Sequence, residues 1–119
     1  MKSGSILIVD DELEVRETMA EYLEFEGYKI EQAENGLDAL EILKNRNFEL
    51  VITDFRMPKL NGKELVLAVR KLGLKMPIFL LTGYTDLTEQ ESLKIGVTRF
   101  LSKPLHPSDL LAAIHRIQI

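Results

Sequence analysis

Cysteine is absent from this 119-residue chain. Its absence excludes disulfides, zinc–thiolate sites and thiol catalysis together, and it fits a reducing compartment. Long apolar runs are also missing. Ile6-Leu7-Ile8-Val9 stops at two aspartates, too short for a signal-peptide core, and no stretch approaches a membrane span. Bases are outnumbered, 15 against 19 acids, for a formal net charge of −4. That is a poor footprint for a nucleic-acid surface, which needs a basic face. No Ser/Gly-rich linker or low-complexity stretch interrupts the chain. The expectation is one domain over residues 1–119, cytoplasmic, with neither membrane nor nucleic acid as partner. What is present is an ordinary globular balance, 45% hydrophobic and 29% charged. A chain of this length buries roughly two-thirds of its unfolded surface on folding, enough for a core without staples.

Apolar β-branched runs alternate with helical patterns five times. Ile6-Leu7-Ile8-Val9, Leu50-Val51-Ile52 and Ile78-Phe79-Leu80-Leu81 are continuous apolar runs, the mark of strands buried on both faces. Tyr28 to Ala33 and Val97 to Leu101 are more mixed and suit the two sheet edges. Between them the period lengthens to about 3.6 residues. Val15, Met19, Tyr22 and Leu23 mark one helix; Leu37, Leu40 and Leu43 a second; Leu65, Val69 and Leu72 a third; Leu110, Ile114 and Ile117 the last. The segment from Asp86 to Ile95 has the fewest apolar anchors. Asp11 with Glu14, Asn61 with Glu64 and Asp86 with Glu89 each have capping-box spacing. Five strand–helix units imply an α/β fold, a doubly wound parallel sheet with helices on both faces.

Such sheets bind ligands beyond the carboxyl ends of their strands. Asp10 and Asp11 follow the first strand, Asp54 ends the third, Thr82-Gly83 the fourth, and Lys103-Pro104 follows the fifth. Three carboxylates in one crevice repel and raise one another's pKa. A bound cation relieves that conflict, and hard oxygen ligands without His or Cys point to magnesium, with manganese as a substitute. Magnesium leaves room for a phosphoryl oxygen, Lys103 for a second, and the Thr82 hydroxyl for a third. One carboxylate is then free to act as nucleophile and form an aspartyl phosphate. Singly, Asp11 reads as a helix cap, Asp54 as a strand-end acid and Lys103 as a surface side chain. Together, at one end of different strands, they read as a site.

These stretches resemble the receiver domain of bacterial two-component response regulators, the superfamily of the chemotaxis regulator. The similarity rests on Ile6 to Glu12, Val51 to Pro58, Asn61-Gly62, Leu81-Thr82-Gly83 and Phe100 to Pro104, in the family's order and spanning nearly the whole chain. The resemblance implies a flavodoxin-like sheet of order 2-1-3-4-5 with five helices. It implies Asp54 as phosphoacceptor, with Asp10, Asp11, Asp54 and the backbone carbonyl of Arg56 at the metal. It implies Lys103 and Thr82 around the phosphoryl group, and a Lys103-Pro104 bond that is commonly cis. Thr82 and Phe100 correspond to the switch pair, although the family often has tyrosine where Phe100 stands. Arg56 and Tyr84 occupy positions that flank the phosphoryl group and would crowd the line of attack, while Gly83 would open it.

The implied function is phosphorelay signalling. The donor would be a sensor histidine kinase or a histidine phosphotransfer protein. The fourth helix, fifth strand and last helix would form the face that controls an unknown downstream protein or output domain. The chain would act as a monomer or a phosphorylation-dependent dimer, either free-standing or as part of a longer regulator or hybrid kinase. Self-phosphorylation and self-dephosphorylation are expected, without turnover of a separate substrate, so it is not read as an enzyme. The main alternative is a magnesium-dependent small-molecule phosphohydrolase. Against it, haloacid-dehalogenase-like phosphatases use an Asp-x-Asp loop, whereas Asp10 and Asp11 are adjacent, and no cap domain is evident. A nucleotide or flavin module would need a Gly-rich loop where Asp10-Asp11-Glu12 stands. A degenerate receiver is disfavoured because all five site residues are present.

Overall fold

The computed structural model describes residues 4–83 and 88–117. Strands and helices alternate as β1 (Ser5–Val9), α1 (Leu13–Phe25), β2 (Lys29–Ala33), α2 (Gly36–Asn45), β3 (Leu50–Asp54), α3 (Gly62–Lys71), β4 (Ile78–Thr82), α4 (Glu89–Lys94), β5 (Arg99–Ser102) and α5 (Pro107–Ile117). All pairings are parallel, in the order β2-β1-β3-β4-β5. The fold is the doubly wound, flavodoxin-like α/β sheet. No helix among the described residues is long and apolar enough to cross a membrane.

Strand side chains alternate between faces, and β1 shows why its run is unbroken. Ile6 and Ile8 pack with Met19, Ala20 and Leu23 of α1 and with Leu110, Ala113 and Ile114 of α5. Leu7 and Val9 pack with Ala39 and Leu43 of α2 and with Leu65, Val66 and Val69 of α3. A strand covered on both faces must be apolar at each position. The edge strands β2 and β5 are only partly buried, and their charged residues fit that placement.

The helix ends depart from expectation in instructive ways. Asn61 and Glu64 form the expected capping box on α3. At α1, however, the residue before the helix is Glu12, with no side-chain cap bond. The Glu12 N–H instead donates to Asp10 Oδ1 at 2.9 Å, so the spacing of Asp11 and Glu14 is not a capping box. At α4 the box is Thr88 with Glu91, which starts the helix later than Asp86; Asp86 itself lies outside the described residues. Two apolar stripes also shift. Leu37 and Leu72 are about half exposed, because α2 turns Gly36, Ala39 and Leu43 inward and α3 turns Leu65, Val66 and Val69.

Arg70 ties α3 to the loop after α4. Its Nη1 donates to the carbonyls of Leu74 at 2.9 Å and Met76 at 2.8 Å. Its Nε and Nη2 donate to the Gly96 carbonyl at 3.0 and 2.7 Å. Gly96 has φ +106°, and a Cβ there would meet Arg70 Cγ at 2.9 Å. Any side chain at 96 would be strained and would push the guanidinium off its carbonyls.

Candidate functional site

Register brings the strand ends to one level. Val9 of β1 lies opposite Thr53 of β3, so Asp10 and Asp54 are the next residues out on neighbouring strands. Asp54 lies opposite Leu81, and Thr82 opposite Ser102, which sets Lys103 one residue beyond. Lys103 and Asp54 are 49 positions apart in sequence, yet Lys103 Nζ donates to Asp54 Oδ1 at 2.9 Å. The Lys103-Pro104 peptide bond is cis, and the Lys103 N–H donates to the Thr82 carbonyl at 2.9 Å.

Carboxylate oxygens of Asp10, Asp11 and Asp54 all lie within 4.8 Å of one another. Asp10 is fully buried and Asp54 nearly so, whereas Asp11 is exposed. Asp54 Oδ1 also accepts from the Phe55 N–H at 2.9 Å. The β3–α3 loop closes tightly beneath it. The Gly62 N–H donates to the Phe55 carbonyl at 2.8 Å, and a Cβ on Gly62 would lie 2.5 Å from the Asp54 carbonyl oxygen. Only glycine allows that approach.

Burial dominates the electrostatics. It pushes the Asp10 carboxyl up to about 6, with the neighbouring Asp54 and Asp11 charges adding to it and the Glu12 N–H and Lys103 opposing. Burial likewise raises Asp54, against the lowering effect of Lys103 and the Phe55 N–H. Burial pulls Lys103 down, but its bond to Asp54 and the charges of Asp54, Asp10 and Glu12 outweigh this and hold its ammonium above the usual range. Two polar atoms here are buried without a partner among the described residues, Asp10 Oδ2 and Thr82 Oγ1. Unpaired buried oxygens are costly. The donor set (hard carboxylate oxygens, one of them unpartnered, with excess negative charge) fits a small divalent cation such as magnesium.

The remaining residues singled out from the sequence are spread around this cluster. Arg56 is exposed in the loop after Asp54, Gly83 is half-buried after Thr82, and Phe100 is half-buried on β5 opposite Leu80. Tyr84 lies outside the described residues. Sequence reasoning missed Arg16. From the first turn of α1, its Nη1 donates to the Asp10 backbone carbonyl at 2.7 Å and its Nε to Gln32 Oε1 at 3.0 Å. A bond to a backbone carbonyl has no signature in residue type, so no sequence signal pointed to it.

A groove of about 670 Å³ adjoins Lys103, with mostly apolar walls that include Val15, Met19, Leu81, Pro104 and Leu105.

Comparison with known proteins agrees with this geometry. A transcriptional regulatory protein CpxR homolog of Haemophilus influenzae is 39% identical over 115 residues, 96% of this chain and 50% of that protein. A response regulator MprA of Mycobacterium sp. is 35% identical over 113 residues, 94% of this chain and 49% of that protein. The chain thus spans about half the length of the curated relatives it matches. Among solved structures, the chemotaxis response regulator CheY4 of Vibrio cholerae superposes with a TM-score of 0.89 at 34% identity, covering 96% of this chain and 98% of that one. A CheY-like receiver domain protein of Methanospirillum hungatei superposes with the same TM-score at 35% identity, covering 96% and 92%. Residues 6–115 match the family model described as the response regulator receiver domain. The chain belongs to the response regulator receiver domain family.

Proposed function

We propose that residues 1–119 form one receiver unit in which Asp54 accepts a phosphoryl group from a phosphohistidine. The observation that carries this reading is the grouping of Asp54 with Asp10 and Asp11 within 4.8 Å, with Lys103 Nζ at 2.9 Å. In the transfer, an Asp54 carboxylate oxygen forms a new P–O bond as the P–N bond to the donor imidazole breaks. The leaving imidazole takes a proton from solvent. Magnesium, when bound, supplies positive charge that screens the carboxylates and the incoming phosphoryl oxygens. Asp10, Asp11, Asp54 and the Arg56 backbone carbonyl would hold it. Lys103 then pairs with a phosphoryl oxygen rather than with the bare carboxylate. Thr82, whose hydroxyl is buried without a partner, gains an acceptor and moves toward it.

Receiver domains are signalling switches rather than substrate-turnover enzymes, which leaves the phosphohydrolase reading disfavoured. The phosphodonor, a sensor histidine kinase or histidine phosphotransfer protein, has to bring its imidazole within bonding distance of Asp54. It therefore covers the rim of the site, and the apolar groove beside Lys103 suits its packing surface. Phosphorylation adds a charge of about −1.5 to −2. We take Thr82 and Phe100 as the residues that carry this change to α4, β5 and α5. Arg56, Gly83 and Tyr84 are the positions that set the phosphate's lifetime.

The test is labelling. Incubation with phosphoramidate and magnesium, a P–N donor that mimics phosphohistidine, should give hydroxylamine-labile phosphate in the wild type and none in Asp54→Asn. Undiminished labelling of a folded Asp54→Asn would move the acceptor elsewhere.

A further inference from the structure

We infer that Arg16 is a positioning residue that sets the geometry of the metal-binding acids from outside the site. This rests on the reading above that the acidic cluster holds magnesium. The last ladder pairs of β1 are Val9 with Ala33 and Val9 with Thr53. Beyond them the Asp10 N–H still reaches the neighbouring strand, donating to the Ala33 carbonyl at 3.2 Å. The Asp10 carbonyl has passed the end of the ladder, and the Arg16 guanidinium takes it at 2.7 Å. A charged donor makes this bond stronger than an ordinary ladder bond. The same guanidinium is fixed from its other side by Gln32 on the edge strand, at 3.0 Å. Arg16 is itself held by α1, through its N–H to the Glu12 carbonyl at 3.0 Å.

The peptide so clamped joins Asp10 to Asp11. Its plane determines where Asp11 leaves the strand. Asp11 is exposed, while its carboxylate sits within 4.8 Å of two others of the same charge. Repulsion favours swinging Asp11 outward, about the bonds that flank this peptide. Arg16 opposes that swing without entering the cluster. Outer residues that orient metal ligands carry much of a site's affinity, commonly about ten-fold or more.

The experiment measures magnesium binding by titration calorimetry on wild type, Arg16→Ala and Gln32→Ala, with amide hydrogen exchange recorded on metal-free samples. Arg16→Ala should weaken magnesium about ten-fold and speed exchange at the amides of residues 11 and 12 more than at those of residues 6–9. Gln32→Ala, a change on an exposed strand edge, frees the guanidinium and should give a smaller loss in the same direction. It decides the matter if Arg16→Ala does not fold. Unchanged magnesium dissociation constants in the folded variants would reduce Arg16 to a tie between α1 and β2, even if melting temperatures fall. Wild type that takes up no magnesium would overturn the underlying reading, and this inference with it.

Discussion

Between its first residues and its last, β3 passes from Leu50, Val51 and Ile52 to Thr53 and Asp54 without leaving the interior. Strands β1 and β4 make the same passage, β1 running into Asp10 and β4 ending at Thr82, both fully buried. In the body of the sheet, burial and stability agree: side chains of both faces meet apolar partners on the covering helices. At the carboxyl ends they conflict. Asp10 Oδ2 and Thr82 Oγ1 are enclosed with no partner among the described residues, and Asp10 is pushed up to about 6 by burial. The same strands therefore stabilise the fold at one end and hold a destabilising arrangement at the other, the usual relation between a scaffold and its site.

Ile52 is fully buried in the body of the sheet. Ile52→Ala should destabilise the protein by about 2–5 kcal/mol, read from urea denaturation. A loss well under about 1 kcal/mol would mean that the body is not the stabilising region. Asp10→Asn should act in the opposite sense, raising the stability of the metal-free protein at neutral pH by about 1–3 kcal/mol. The sign follows from the proton balance. The Asp10 carboxyl moves from 3.8 to about 6 on folding, so the folded state keeps its proton to higher pH than the unfolded chain. Its contribution is most favourable below 3.8, falls as pH rises through that window, and is flat above it. Asp54, raised too, adds to the fall in both proteins, so the difference between them reports Asp10. The stability difference between Asp10→Asn and wild type should therefore grow from pH 4 to pH 6, while the variant loses magnesium affinity. A variant less stable than wild type at neutral pH would show that the buried carboxylate does not destabilise the strand end.

The smallest effect is expected at Thr82. Replacing it with valine removes a buried hydroxyl that has no partner among the described residues, so Thr82→Val should be neutral to about 1 kcal/mol stabilising. At the same time it should blunt the spectral response of residues 99–106 to a beryllofluoride mimic of the phosphoryl group. A stability loss near that of Ile52→Ala would show that the hydroxyl is structurally engaged.

Much of this was legible from sequence, for a reason that β1 illustrates. A strand covered on both faces must be apolar throughout, so Ile6 to Val9 announces both its conformation and its central position. That Asp10, Asp11, Asp54, Thr82 and Lys103 would gather at one edge was legible because all five stand where strands of a parallel sheet end. Capping was less so. Asn61-x-x-Glu64 and Asp11-x-x-Glu14 look alike, yet only the first is a capping box, because the second competes with Asp10 for the start of its helix. Leu37 and Leu72 fit the apolar period but lie at helix ends, where the stripe has turned outward.

By itself the sequence determined the order of elements, the buried strands and the acids and lysine that end them, since these depend on residue type and local period. Only the tertiary structure decided which of those groups meet. The register of β1, β3, β4 and β5 sets Asp10, Asp54, Thr82 and Lys103 at one level. Arg16 and Arg70 hold loops through backbone carbonyls. Every residue offers such a carbonyl, so nothing in the order of side chains could announce where those bonds would form.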